Sequence, residues 1–376
     1  MRIVHTESSC GWGGQEIRIL TEARGMLGQG HDVCVLCPRQ ARIFEEGPAF
    51  GVPIVALPIA RKSLSGILAI RRHLASLGTA IDVINTHSST DTWLTALALE
   101  LLPRCPALVR TRHVSAPVPN NFSTRWLYRR ASTMVVTTGN ALRDELIRIN
   151  GLDPKRVVSI PTGIDLSRFR VADVNERAAA RARLGFSPET FVVGIVATLR
   201  SWKGHRFLIE AIDRINRGGF EKPLALIIVG DGPQLRVMTE QIDALGLAAC
   251  VKLAGNQKDV VPYLHALDAF ALPSYANEGV PQALLQAMAC GIPVVTTDAG
   301  AIAEIARDGS TALVVAKQDA AALAAAIRRL ADDANLARAL AKAARDNVIL
   351  HHSLEGMVTA MGQVFRQALA FQREAA

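Results

Sequence analysis

No uninterrupted apolar run in this chain reaches the ~18 to 20 residues that a membrane-spanning helix needs, so no such helix is expected. No Gln, Ser or Pro tract is long enough to resist packing either. With 49% apolar and 20% charged residues the chain should be globular throughout, with disorder confined to the tail near Arg373. The opening MRIVHTESS reads straight into a short strand, without the basic stretch, apolar stretch and cleavage site of a secretory signal, and a reducing cytoplasm is the expected setting. Cysteines are few and scattered, at Cys10, Cys34, Cys37, Cys105, Cys250 and Cys290. Only Cys34 and Cys37 have CxxC spacing. They lie in the strand-like run DVCVLCP, where alternation sends them to opposite faces, and no second pair or nearby His completes a zinc set. Buried thiols are therefore favoured over metal.

Other absences narrow the function. No RNP-like, zinc-finger or helix-turn-helix signature accompanies the positive charge, which weighs against nucleic acid. The run CGWGGQE fails the dinucleotide pattern GxGxxG, which weighs against a dehydrogenase. No Asp-x-Asp pair stands at a strand end, the nearest carboxylates, Asp332 and Asp333, falling in a helical tail.

At 376 residues the chain suits two cores better than one. Short β-rich runs alternate with helical patterns from end to end, the sequence form of a parallel sheet with crossover helices. Strands are read at 3–5, 33–37, 54–56, 83–85, 107–110, 134–136 and 157–160. After PTGIDLSRFR the pattern restarts, with strands at 191–197, 225–229, 251–253, 269–272, 293–296 and 312–315. The restart divides the chain into residues 1–168, residues 169–353 and a C-terminal helix, 354–376, that can pack back on the first domain. The expected fold class is α/β, two doubly wound Rossmann-like domains facing a crevice. The formal charge is +8, and residues 1–166 hold 19 Lys+Arg against 13 Asp+Glu. Arg61, Lys62, Arg71 and Arg72, and the run from Arg125 to Arg130, are candidate basic surfaces for an anionic acceptor or membrane headgroups, with a solvated helix face as the alternative.

Open parallel sheets bind ligands beyond the carboxyl ends of their strands, where helix N-termini converge. The stretch YANEGVPQALLQAMACGIPVV predicts a helix opening near Pro281, whose first-turn amides lack intrahelical partners and suit a phosphate. Glu278 stands just before it and Gln286 about one turn inside. A carboxylate there suits sugar hydroxyls, although a plain helix cap is the other reading. Arg200 and Lys203 follow the strand FVVGIVA in the spacing R-x-x-K-G before a helix and can take the charge growing on a departing nucleoside diphosphate, solvated loop cations being the other reading. Gly13 and Gly14, after the opening strand, let backbone approach phosphate or sugar, or simply make a tight turn. His113, in RTRHVS, is a candidate pocket-lining residue. Gly230 and Gly232 of VGDGP, with Asp231, are read as the scaffold of a turn.

The long stretch, together with GWGGQE, DVINTHSS, IPTGID, ATLRSWKGH, VGDGP and LAGN in that order, resembles the retaining GT-B glycosyltransferases marked by E-x7-E before a GxPVV strand. The resemblance covers most of the chain and implies transfer of a sugar from a nucleotide-diphosphate donor to a glycan or lipid-linked acceptor. It implies Glu278 on the donor sugar, the amides around Gly279 and Val280 on the diphosphate, and matching basic residues at Arg200 and Lys203 in place of a metal. It places His87 on the donor sugar, with a histidine satisfied by neighbouring backbone as the alternative, and Asn256 where nucleobase contacts arise. Gln286 departs from the family's Glu, which grips the ribose, and puts the strength and nucleotide preference of that grip in question. Retention, no cofactor beyond the sugar nucleotide, and a place in cell-envelope polysaccharide or lipopolysaccharide assembly at the inner face of the membrane are further expectations. A non-catalytic nucleotide-sugar binder and a GT-B epimerase or phosphorylase are the alternatives.

Overall fold

The computed structural model describes residues 1–78, 81–103, 105–113, 116–276 and 278–375. The chain divides into two compact units, Met1–Gly163 with Leu354–Ala376, and Ile164–Ser353.

The first unit is built on a seven-stranded parallel sheet: β1 (Arg2–Thr6), β2 (Asp32–Cys37), β3 (Ile54–Ala56), β4 (Val83–Thr86), β5 (Ala107–Arg112), β6 (Met134–Thr137) and β7 (Val157–Ser159), in the order β3-β2-β1-β4-β5-β6-β7. Its strands bury apolar residues on both faces because crossover helices cover both. Alternation divides them accordingly: Ile3, Val83, Val109 and Val136 join one apolar cluster, while Val4, Ile84, Leu108 and Val135 join another. Cys37 joins the first and Cys34 packs against the second, as their odd spacing requires. Burial pushes these thiols up to about 12 and about 11, so both stay protonated.

The C-terminal helix Leu354–Ala375 belongs to this unit. Met357, Val358, Met361, Val364, Phe365 and Ala368 recur at helical spacing and are buried in the first cluster. Fully burying a side chain such as Phe365 or Met361 stabilises by ~1.5 to 3 kcal/mol. The fit is close at Gly25, where a Cβ would stand 2.4 Å from Val358 Cγ2. The tail expected to be disordered near Arg373 is instead the end of this helix, which runs to Ala375.

The second unit holds a six-stranded parallel sheet: β8 (Phe191–Val196), β9 (Leu224–Val229), β10 (Val251–Gly255), β11 (Ala269–Leu272), β12 (Val294–Thr296) and β13 (Leu313–Val314), in the order β10-β9-β8-β11-β12-β13. A single apolar cluster fills it. It begins earlier than the sequence pattern suggested, at Ile164 rather than residue 169. Turn residues hide the reason: Ile164 and Phe169 are buried in this core, and Ile164 N–H donates to His352 O at 2.7 Å, tying the unit's first residues to its last. No helix among the described residues is long and apolar enough to cross a membrane.

Candidate functional site

Within the second unit, polar groups gather where β8 and β11 end. The loop after β8 and the segment after β11 touch through backbone. Gly204 has φ +76°, and a Cβ there would stand 2.0 Å from Pro273 O, so only glycine allows the approach. Tyr275 N–H donates to Trp202 O at 2.9 Å, a second tie. This contact brings Lys203 to Glu278 across 75 positions of sequence: Nζ donates to Oε1 at 2.6 Å and to Oε2 at 2.9 Å. Ser274 Oγ donates to Oε1 at 2.6 Å. The Glu278 side chain is 5% exposed and that of Lys203 17%, so the pair is poorly screened by solvent.

The turn VGDGP holds the same loop from the other side. Leu199 N–H donates to Asp231 O, and Gln234 N–H to Leu199 O, each at 3.0 Å. Gly230, at φ +142°, admits Ala197 O where a Cβ would come within 1.9 Å. Arg200 is exposed, its guanidinium 5.8 Å from the Trp202 ring. His205 follows Gly204, nearly fully buried with both ring nitrogens unpartnered among the described residues, and burial brings its pKa down to about 3, Lys203 adding to the shift.

Beyond Glu278 the helix spans Gln282–Ala289, one residue later than expected: Pro281 is extended (φ −71°, ψ 124°) and serves as N-cap, because its ring fixes φ but leaves ψ free. Its N-cap residue, Pro281, makes no side-chain cap bond to the leading N–H groups of the helix. The Val280 side chain lies in the apolar core and Gly279 is half-buried. Gln286 is 7% exposed on the helix, and Asn256 is exposed just past β10.

In the first unit the corresponding edge is polar and buried. Gly13 is extended and caps the helix Gly14–Gly28 without a side-chain bond. His87, after β4, is 3% exposed, and both its ring nitrogens are engaged, Nε2 with His5 Nδ1 at 3.0 Å and Nδ1 with His113 Nε2 at 2.9 Å. A residue read as a substrate contact is thus the middle of a histidine row. Beside it, Glu7 accepts from Ser9 N–H at 2.6 Å, Ser88 Oγ at 2.5 Å and Gln15 Nε2. Asp91 accepts from Thr6 Oγ1 at 2.7 Å and from the N–H groups of His87 and Ser88, each at 2.9 Å. Burial first and Asp91 second push the Glu7 carboxyl up to about 8.

Sequence reading did not single out His5, Glu7, Gln15 or Asp91. The spacing of Ser88 and Asp91, S-x-x-D before a helix, is a start signal that marks Asp91. Nothing local marks His5, which looks like an interior strand position. Of the basic candidates, Lys62 Nζ sits 5.3 Å from the Trp93 ring centroid, and Trp93 stacks on Trp126 at 5.7 Å. A cavity of about 290 Å³ is lined there by Lys62, Ser63, Ile67, Trp93, Leu94 and Leu97.

Each unit is therefore an open parallel sheet with its chemistry at the carboxyl edge, and two such units in one chain define the GT-B class. The fold of the glycosyltransferase from Rickettsia africae matches with a TM-score of 0.85 at 20% identity, over 98% of each chain. That of Anabaena HepE, solved in complex with UDP and glucose, matches with a TM-score of 0.84 at 21% identity, over 96% of this chain and 98% of that one. The family described as Glycosyltransferase Family 4 matches residues 12–168, and Glycosyl transferases group 1 matches residues 176–347. The chain belongs to the group 1, family 4 glycosyltransferases. The D-inositol 3-phosphate glycosyltransferase of Rhodococcus jostii is 31% identical over 226 residues, 57% of this chain and 49% of that protein. The chain spans about half the length of the curated relatives it matches.

Proposed function

We propose that this chain transfers a sugar, with retention and without a metal, from a nucleoside-diphosphate donor to a glycan or lipid-linked acceptor of the cell envelope. The observation that carries the reading is the Lys203–Glu278 pair set just before a helix start whose N-cap residue, Pro281, makes no side-chain cap bond. An ammonium has three N–H donors, so Lys203 can turn toward a diphosphate while Glu278 accepts sugar hydroxyls. Arg200 and the amides around Gly279 and Val280 supply further positive charge to the departing nucleoside diphosphate. Hydrogen bonds to charged groups contribute ~1.5 to 3 kcal/mol each, and here they oppose charge that grows as the bond breaks. Gln286 is assigned to the ribose and the surroundings of Asn256 to the base. The proposed roles of Gly13, Gly14 and His113 are polar contacts to substrate; His87, both of whose ring nitrogens are engaged by other histidines, is not among them. UDP is the first nucleotide to try, since HepE was solved with it.

Support for an anionic, lipid-linked acceptor at a membrane face comes from the exposed Arg61, Lys62, Arg71 and Arg72, of which Lys62 lines the apolar cavity beside Trp93. No cofactor other than the sugar nucleotide is assigned.

The test is a product assay with UDP-, GDP-, ADP- and dTDP-sugars and a panel of acceptors. The expected result is an acceptor-dependent glycoside whose anomeric configuration matches the donor's, unchanged by excess EDTA. Glu278→Ala and Lys203→Ala should each lose about tenfold or more of the activity while remaining folded. Full activity in both variants overturns the site; loss to EDTA restored by magnesium overturns the metal-free mechanism. Binding without turnover, or an epimerised donor, would replace transfer by one of the alternative activities.

A further inference from the structure

Both ends of the loop that carries Gly13 and Gly14 close on one buried carboxyl, that of Glu7, the residue after β1. Two positions on, Ser9 N–H donates to Oε1 at 2.6 Å, and eight positions on, past both glycines, Gln15 Nε2 donates to Oε2. Ser88, the residue before the helix Ser89–Leu99, donates its hydroxyl to Oε1 at 2.5 Å and accepts from Gln15 Nε2 at 2.9 Å. Gln15 lies in the first turn of the helix Gly14–Gly28. One carboxyl thus ties a strand end, a loop and two helix starts together.

Between its closed ends the loop is held by longer or internal bonds. Ser8 Oγ donates to Asp91 at 3.3 Å, Gly11 N–H donates to Ser9 Oγ at 3.0 Å within the loop, and Trp12 packs against the apolar cluster. Cys10, Gly11 and Gly14 are exposed.

The three donors to Glu7 are not equivalent. A backbone or amide N–H can only donate, whereas a hydroxyl can also accept. Burial first and Asp91 second push Glu7 up to about 8, against the bonds from Ser88 and Ser9, so at neutral pH the carboxyl mostly keeps its proton. Ser88 is the partner able to receive it: the Glu7 O–H donates to Ser88 Oγ while the N–H groups of Ser9 and Gln15 keep their acceptors. Loss of that proton puts a second negative charge beside Asp91. Glu16 and the Cys37 thiol also face the carboxyl, and Arg110 Nη1 donates to Ser88 O at 3.1 Å.

We propose that Glu7 is a positioning residue, which by clasping Ser9 and Gln15 fixes residues 8–14 in the shape that presents the backbone of Gly13 and Gly14 to substrate. The positioning role rests on the glycosyl-transfer reading above; the clasp does not.

The experiment is residue-resolved hydrogen exchange on the full chain and on Glu7→Ala, Glu7→Gln and Gln15→Ala. It is paired with kcat and KM between pH 6 and 9 for whichever of the UDP-, GDP-, ADP- and dTDP-sugars turns over. In Glu7→Ala, exchange across residues 8–14 should rise about tenfold with the amides of β1 and β4 unchanged, and the donor KM should rise about tenfold with kcat changed less than about threefold. Gln15→Ala should do about a third as much, and adding it to Glu7→Ala should change nothing further, because both remove one shared tie. Glu7→Gln still accepts from Ser9 and Ser88, and a turned Gln15 amide accepts from its new NH2. It should stay within about twofold of the parent at pH 7 and hold its KM to pH 9, while the parent's KM climbs about threefold as the Glu7 proton leaves.

Unchanged loop exchange in both Glu7→Ala and Gln15→Ala overturns the clasp. A loosened loop with the parent's KM, or a fall in kcat alone, overturns the positioning role, as does a Glu7→Gln as impaired as Glu7→Ala. If Glu7→Ala fails to fold, Gln15→Ala and Glu7→Gln decide by the same readings. A loop loosened in a chain that turns over none of the donors leaves the clasp standing and removes both the positioning role and the proposed function.

Discussion

The two units are the same kind of sheet, yet they store polar chemistry differently. In the first, His5, Arg18, Glu22, Asn85, His87 and Asp91 are all 3% exposed or less, and they lie between or just behind the strands. Arg18 reaches Ile160 O at 2.8 Å, Asn85 bridges Glu22 and Thr111, and the histidines run across three strands. In the second, one apolar cluster fills the interior, and Lys203, Ser274 and Glu278 sit at the rim, joined by the backbone contact at Gly204. Buried polar groups cost desolvation unless paired, and a partly satisfied network is worse than none. The first unit therefore depends on many partners holding together, and the second on a few close backbone approaches, at Gly204 and Gly230.

The most severe way to break the second unit's arrangement is Gly204→Ala. The new methyl must clear Pro273 O at 2.0 Å, and the backbone must hold φ +76° with a Cβ present. Strain in the left-handed region and overpacking are each ~1 to 3 kcal/mol, so a loss of about 3 to 5 kcal/mol is expected in denaturant unfolding. The Lys203–Glu278 pair should be displaced at the same time, since Lys203 precedes the pivot. A variant with unchanged midpoint and activity would mean that the loop has room to move and that the pair does not depend on this contact.

How much of this was legible follows the same division. All the strands of both sheets are legible in the sequence within a residue or two, because strands covered on both faces are short apolar runs, and even β1, β4 and β5 keep two or three consecutive apolar residues. The positions of Lys203, Arg200 and Glu278 at strand ends were legible for the same reason. What the sequence concealed was lateral: His87 meets His5 only because β1 pairs with β4 in the register His5↔Asn85, and no local pattern states that strand order. Gly204 is likewise an ordinary turn glycine until Pro273 is seen against it. The boundary at Ile164 was missed because a buried turn segment has no periodicity to read.

The next effect is smaller and falls on the first unit, through pH. Its histidines have folded pKa values depressed below 6.5, so the stability they contribute is present above that value and lost as pH falls, for His5 toward about 3. Glu7 and Glu22 run the other way: burial raises them to about 8 and about 7, so their contribution is present below the ordinary carboxyl value of 4.5 and lost as pH rises through these values. The first unit is thus weakened on both sides of a maximum near pH 5 to 6. In the second unit Glu176, Glu189 and Asp259 are shifted downward, so no alkaline loss comes from them. Hydrogen exchange corrected for intrinsic rate should show β1 and β4 losing about 2 kcal/mol of protection between pH 6 and 8.5, with β8 and β9 unchanged. Equal behaviour of the two sheets would remove the contrast, and Glu7→Gln should reduce the loss.

The smallest effect sharpens the comparison at the rim of the second unit. Gln286 is 7% exposed on the helix Gln282–Ala289 and stands where the E-x7-E resemblance expects Glu. An ionised acceptor makes stronger bonds to ribose hydroxyls than an amide does, but it must be desolvated in a nearly buried position, and the two terms oppose each other. The bond gain should exceed the extra burial cost only slightly, because the helix N-terminus stabilises negative charge nearby. Gln286→Glu is therefore expected to tighten UDP binding about threefold, read as a larger thermal shift at equal nucleotide concentration. If the variant is as stable as the parent but binds UDP more weakly, the amide N–H of Gln286 is acting as a donor. The ribose contact in this chain would then run in the opposite sense to a carboxylate's.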